Sequence, residues 1–97
     1  MPGSQARVET QHASRYLQQL CKHFAHKVSV TFDASEGSVD FPFGDCRLKA
    51  GDDVLHIECA SDTQDTLRRT QFVVHDHLER FAWREKPEIV WQPTDRE

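Results

Sequence analysis

Residues 28–60 read VSVTFDASEGSVDFPFGDCRLKAGDDVLHIECA, and this stretch decides the fold. Val28, Val30 and Phe32 alternate with polar residues, and Val39, Phe41 and Phe43 do so again after an Asp-Ala-Ser-Glu-Gly turn. Cys46, Leu48 and Ala50 follow on one face, and Leu55, Ile57 and Cys59 on the next segment. A period of two puts successive side chains on opposite faces, so each segment is a strand with one buried side. Gly44-Asp45 and Gly51-Asp52-Asp53 supply the corners. Four such strands joined by short turns predict an antiparallel meander. Pro42 marks an edge or an end of pairing there.

Outside the meander the period changes. From Ser14 onward, Leu17, Leu20, Cys21 and Phe24 recur at helical spacing, which predicts a helix ending near His26 or Lys27. Ser61 with Gln64 three residues later reads as a capping box. It opens a second helix with Leu67, Val74, Leu78, Phe81 and Ala82 on one face, stopped by Pro87. Residues 6–10 form a short edge strand, residues 88–91 a closing strand, and residues 92–97 a frayed tail. The predicted order is β-α-β-β-β-β-α-β, an α+β two-layer sandwich with both helices on one face of a mainly antiparallel sheet. The other face carries Ser29, Thr31, Arg47, Lys49, His56 and Glu58, exposed to solvent or to a partner.

The chain has 97 residues, which fits residues 1–97 as one domain with an ordered core over 6–91. Twelve Lys and Arg against sixteen Asp and Glu give a net charge of -4. No basic run favours duplex phosphates, so nucleic acid is excluded as a partner. No apolar run reaches the ~20 residues of a membrane helix, which excludes a membrane. The polar start has no hydrophobic signal core, and the three cysteines form neither CxxC pairs nor a disulfide ladder. A reducing, cytoplasmic location is expected, with Cys21, Cys46 and Cys59 acting as small buried apolar residues. The six histidines are the groups that reverse the sign of the chain on acidification.

On the first helix, His12, Tyr16, Gln19, His23 and His26 form one stripe beside the apolar face. His23 and His26, at i and i+3, can point at one metal ion. Two ligands fall short of the three or four that a transition-metal centre requires, and Cys21 lies ~160° around the axis from His23. On the second helix His77, Arg80 and Arg84 form a cationic stripe suited to carboxylate, phosphate or catecholate groups, or to dipole compensation at a helix end. His75 and His77 point to opposite flanks, and His75 and His56 carry no assigned role. Phe72 and Trp83 suggest an interaction surface, unless Phe72 folds inward or the helix ends before Trp83. Gly-rich phosphate loops, GxSxG and HExxH are absent, and no catalytic residue is assigned.

The segment from Arg15 through Tyr16, Leu20, His23 and His26 to Lys27 resembles the opening motif of a bacterial family, domain of unknown function 2218. The resemblance continues through Asp40-Phe41-Pro42-Phe43-Gly44 and His77-Leu78-Glu79-Arg80-Phe81-Ala82-Trp83-Arg84-Glu85 to Trp91. Trp83 stands where Phe is as frequent. The resemblance implies a small, free-standing bacterial cytosolic protein without an established activity. Similar domains precede the flavin-binding part of siderophore-interacting proteins, which implies a link to iron or siderophore metabolism. The expectation is a non-enzymatic binding or accessory module with His23, His26, His77, Arg80, Arg84 and Tyr16 toward a small anionic ligand or acidic protein segment. A metal ion or iron chelate is the cofactor-like alternative. Two other readings are an accessory or small catalyst in flavin- or haem-dependent iron release, and a homodimer joined through Phe72 and Trp83 or the open sheet face.

Overall fold

In the computed structural model, which describes residues 2–95, the apolar alternation resolves into one six-stranded sheet with two helices on one side. The elements are β1 (Pro2–Glu9), α1 (Ala13–Phe24), β2 (Ser29–Phe32), β3 (Glu36–Phe41), β4 (Gly44–Ala50), β5 (Val54–Ala60), α2 (Gln64–Phe81) and β6 (Trp91–Asp95). Their order is the expected one. The strands lie β2-β3-β4-β5-β1-β6, with every neighbouring pair antiparallel.

Register shows why this sheet has one apolar side. Trp91, Ala6, Ile57, Leu48, Gly37 and Phe32 lie abreast across all six strands. Pro93, Ser4, Cys59, Cys46, Val39 and Val30 form the neighbouring row on the same face. A shift of one residue in any strand would turn its apolar set to water, so burial fixes the register. Ala13, Tyr16, Leu17, Leu20, Cys21 and Phe24 of α1, with Leu67, Thr70, Val74 and Leu78 of α2, cover these rows. Gly37 lets α1 sit close: a Cβ there would meet Cys21 Sγ at 2.6 Å and Leu17 Cδ2 at 3.5 Å.

Three expectations need correction at the ends of elements. β1 is interior, held by β5 and β6, because residues 92–95 pair with it instead of fraying. The closing strand is accordingly Trp91–Asp95 and not residues 88–91; the last two positions of the expected tail lie outside the described residues. The cap of α2 is Thr63, whose hydroxyl accepts from Thr66 N while Thr63 N donates to Thr66 Oγ1. A Thr-Thr box was hidden because threonine at the third position is not the usual Glu or Gln. Ser61 instead donates to Phe43 O at 2.6 Å, tying the end of β5 to the β3–β4 turn.

A polar clamp joins three segments above the core. Tyr16 OH and Thr10 Oγ1 donate to the same Glu85 oxygen at 2.7 and 2.8 Å. Glu85 N and Lys86 N donate back to Ala82 O, and Lys86 takes a left-handed φ of 49° that turns the chain away from the helix toward β6. Burial, and then the Glu85 carboxylate, push the Tyr16 hydroxyl up to about 12.

Two measurements test this framework. A Cβ on Gly44 would meet Ala60 O at 2.9 Å and the Thr70 hydroxyl, and this backbone oxygen has no freedom to retreat. Gly44→Ala should therefore lower stability in urea unfolding by about 1–3 kcal/mol. The folded state holds the Tyr16 proton more tightly than the unfolded chain does, so this stabilisation is complete below pH 10.0 and is lost as pH rises toward about 12. Unfolding free energy measured across that range should fall less steeply in Tyr16→Phe than in the wild type; parallel curves would remove Tyr16 as the cause.

Candidate functional site

The two helices lie side by side on the sheet, and their seam brings two histidines together. His23, on the last turn of α1, packs its ring 4.7 Å from the ring of His77 on α2, tilted by 44°. His77 Nδ1 is 2.7 Å from Val73 O. A carbonyl oxygen only accepts, so Nδ1 carries the hydrogen and Nε2 of neutral His77 carries a lone pair. Phe24 stands edge-on to His77 at 5.1 Å, and Phe81 edge-on to His23 at 5.8 Å. The ring contacts continue from Phe24 to Phe41 and Phe43, and Arg69 sits 4.5 Å over Phe43.

Cations surround this pair. Partial burial, followed by the fields of His77, His26, Lys27 and Arg80, holds His23 below its ordinary value of 6.5. Arg80 also pairs with Asp76 at 3.1 Å, one helical turn back. The seam is thus an aromatic edge, with Phe24 buried and His23 exposed, bordered by basic side chains.

The structure distributes the remaining candidates differently. His26 lies beyond the end of α1, so helical spacing does not pair its side chain with His23. The ring that meets His23 is His77, on the other helix. Among the described residues no group of three or more His, Cys, Asp or Glu side chains is placed to hold a metal ion. Tyr16 is buried and its hydroxyl is committed to Glu85, which removes it from the ligand-facing flank. Arg84 lies 5.1 Å over the Trp83 ring and not in line with Arg80, because α2 ends at Phe81. Phe72 is 70% exposed and Trp83 62% exposed, but the helix end separates them, so they do not share one helical stripe.

Two features escaped the sequence reading. Trp91 Nε1 donates to His75 Nδ1 at 2.9 Å, and His75 Nε2 faces Glu79 at 3.5 Å. His75 therefore fastens β6 to α2, a role that only the inward register of Trp91 could have indicated. The second is the shape of the open sheet face: the face expected from Arg47, Lys49, His56 and Glu58 is a broad concavity of about 940 Å³ that shares no lining residue with the histidine seam. Arg7, His56, Lys49 and Glu36 lie abreast there, beside Arg47 opposite Glu58. Acidic and basic groups are interspersed on this shelf, whereas the seam is cationic.

No helix among the described residues is long and apolar enough to cross a membrane. A search of curated proteins returns no match. Five solved chains match, among them the NMR structure of PA4090 from Pseudomonas aeruginosa. It is 40% identical, with a TM-score of 0.83, over 99% of this chain and 100% of that one. A family model described as an uncharacterised protein conserved in bacteria matches residues 5–92. With the motifs, the fold and this match in agreement, the chain belongs to the bacterial family of domain of unknown function 2218.

Proposed function

We propose that the chain is a non-enzymatic binding module that takes an anionic group at the seam between α1 and α2. The observation that carries this reading is the His23–His77 pair, in ring contact and surrounded by His26, Lys27 and Arg80. Partial desolvation, and then the fields of these groups and of His77, make protonation of His23 less favourable in the free protein. An anion reverses that balance: it neutralises their field and accepts hydrogen bonds from a charged imidazole. Binding therefore takes up a proton.

Phe24 and Phe81 flank the pair with apolar edges, which suits a carboxylate, phosphate or catecholate borne on a flat ring. The family resemblance to domains that precede the flavin-binding part of siderophore-interacting proteins adds a catecholate iron chelate to this class. A metal ion bound directly by His23 and His77 is the competing chemistry. It needs neutral imidazoles and ligands from outside the chain.

Titration of imidazole NMR signals with inorganic phosphate, with 2,3-dihydroxybenzoate and with zinc separates these. The proposal expects His23 and His77 to shift with an anion, and affinity to fall as pH rises, beginning below the ordinary histidine value of 6.5. Zinc-selective broadening that strengthens with pH, with no response to anions, would overturn it. The free protein supplies a second check. Because folding lowers the proton affinity of His23, its contribution to stability is complete above 6.5 and is lost as pH falls below that value. His23→Gln should flatten this acid limb of urea unfolding, and an unchanged limb would show that the seam does not disfavour the proton.

A further inference from the structure

All three cysteines are buried, Cys21 on α1 and the other two on the sheet, and these two face each other. Cys46 of β4 and Cys59 of β5 are direct cross-strand partners, each 1% exposed. The kind of pair follows from the hairpin between them. Gly51 N donates to Val54 O at 2.7 Å, which makes Gly51 and Val54 a hydrogen-bonded pair. Pair types alternate along an antiparallel ladder, so Lys49–His56, Arg47–Glu58 and Asp45–Ala60 are hydrogen-bonded. Leu48–Ile57 and Cys46–Cys59 are the other kind, in which Cα atoms approach to about 4.5 Å and side chains are closest. That separation falls inside the range of about 4.4–6.8 Å that a disulfide spans. The neighbouring Cys59 thiol is the largest influence holding the Cys46 proton in place.

We infer that Cys46 and Cys59 are a built-in site for a reversible intramolecular disulfide across the β4–β5 hairpin, closed by a small hydroperoxide. Bulky disulfide oxidants do not fit, because a mixed disulfide would have to occupy the packed space beneath α1. Hydrogen peroxide is close to water in size. One thiol sulfur attacks it, breaking the O–O bond, giving a sulfenic acid and releasing water. The second thiol sulfur then attacks the sulfenic sulfur, the S–S bond forms, and a second water leaves with the hydroxyl and the thiol proton. The two thiols lose two electrons in all and the peroxide gains them. Cys21 is the third thiol of the cluster but sits on α1 over Gly37. It has no cross-strand partner and stays reduced.

The neighbouring Cys59 thiol, and then burial, disfavour the Cys46 thiolate. Reaction is therefore slow in the folded chain, by roughly tenfold or more against the same thiols unfolded in urea. Folded protein treated with hydrogen peroxide, then denatured and alkylated, should carry one alkyl group where the untreated protein carries three, with two hydrogen atoms missing from the remaining pair. Peptide mapping should find Cys46 linked to Cys59 and Cys21 alkylated. The thermal midpoint should rise by about 10 °C and return with dithiothreitol. Cys21→Ala should form the same link, and Cys46→Ala should form none. The wild-type mapping stands even if a variant does not fold. A link containing Cys21, chain-to-chain disulfides alone, sulfinic acid without a disulfide, or a link that forms only in urea would each overturn the assignment.

Discussion

Everything in this molecule depends on covering one face of a six-stranded sheet with only two helices. A small chain buries a limited fraction of its surface, so the apolar rows must be complete from edge to edge. The row from Trp91 to Phe32 shows how that is done: large residues at the margins, Ile57 and Leu48 in the middle, and Gly37 where α1 comes nearest. The helices have no other place to lie. Their seam, and therefore the meeting of His23 with His77, is a consequence of sheet width and not of any local preference on either helix.

The polar fastenings follow from the same geometry. Each element that closes the layer is pinned by a side chain from a distant part of the chain. Glu85 accepts from Thr10 and Tyr16, Ser61 donates to Phe43 O, and Trp91 donates to His75. Each bond satisfies a group that packing has partly removed from water, where an unmet hydrogen bond would cost about 1–3 kcal/mol. The same coverage draws three thiols into one region and leaves the opposite sheet face with interleaved acids and bases.

Local periodicity made the meander, the helices and their order legible, because period two and period 3.6 are written in residues such as Val39, Phe41, Leu17 and Leu20. What depends on distant pairing was not legible. The place of β1 in the sheet required β6, and Trp91 gives no sign in sequence that it lies beside Ala6. The seam was half legible. His23 and His77 were assigned from separate stripes to one site, and their rings meet there; what the stripes did not show is that α1 ends at Phe24, so that His26 reaches the pair from a turn and not from the helix. Arg84 was misplaced because nothing local announces that α2 stops at Phe81, before Pro87 would force it to; Trp83 falls beyond the helix, the alternative left open for it. The cysteines were read as packing residues, and they are; their mutual alignment is a property of register.

The pairing of β1 with β6 sets Pro2 opposite Asp95. The two described ends of the chain therefore leave the sheet at one corner, on adjacent strands about 5 Å apart. β1 is thus bonded along both edges, and the open edge on this side of the sheet belongs to the five-residue β6, whose Pro93 has no N–H to offer a further strand.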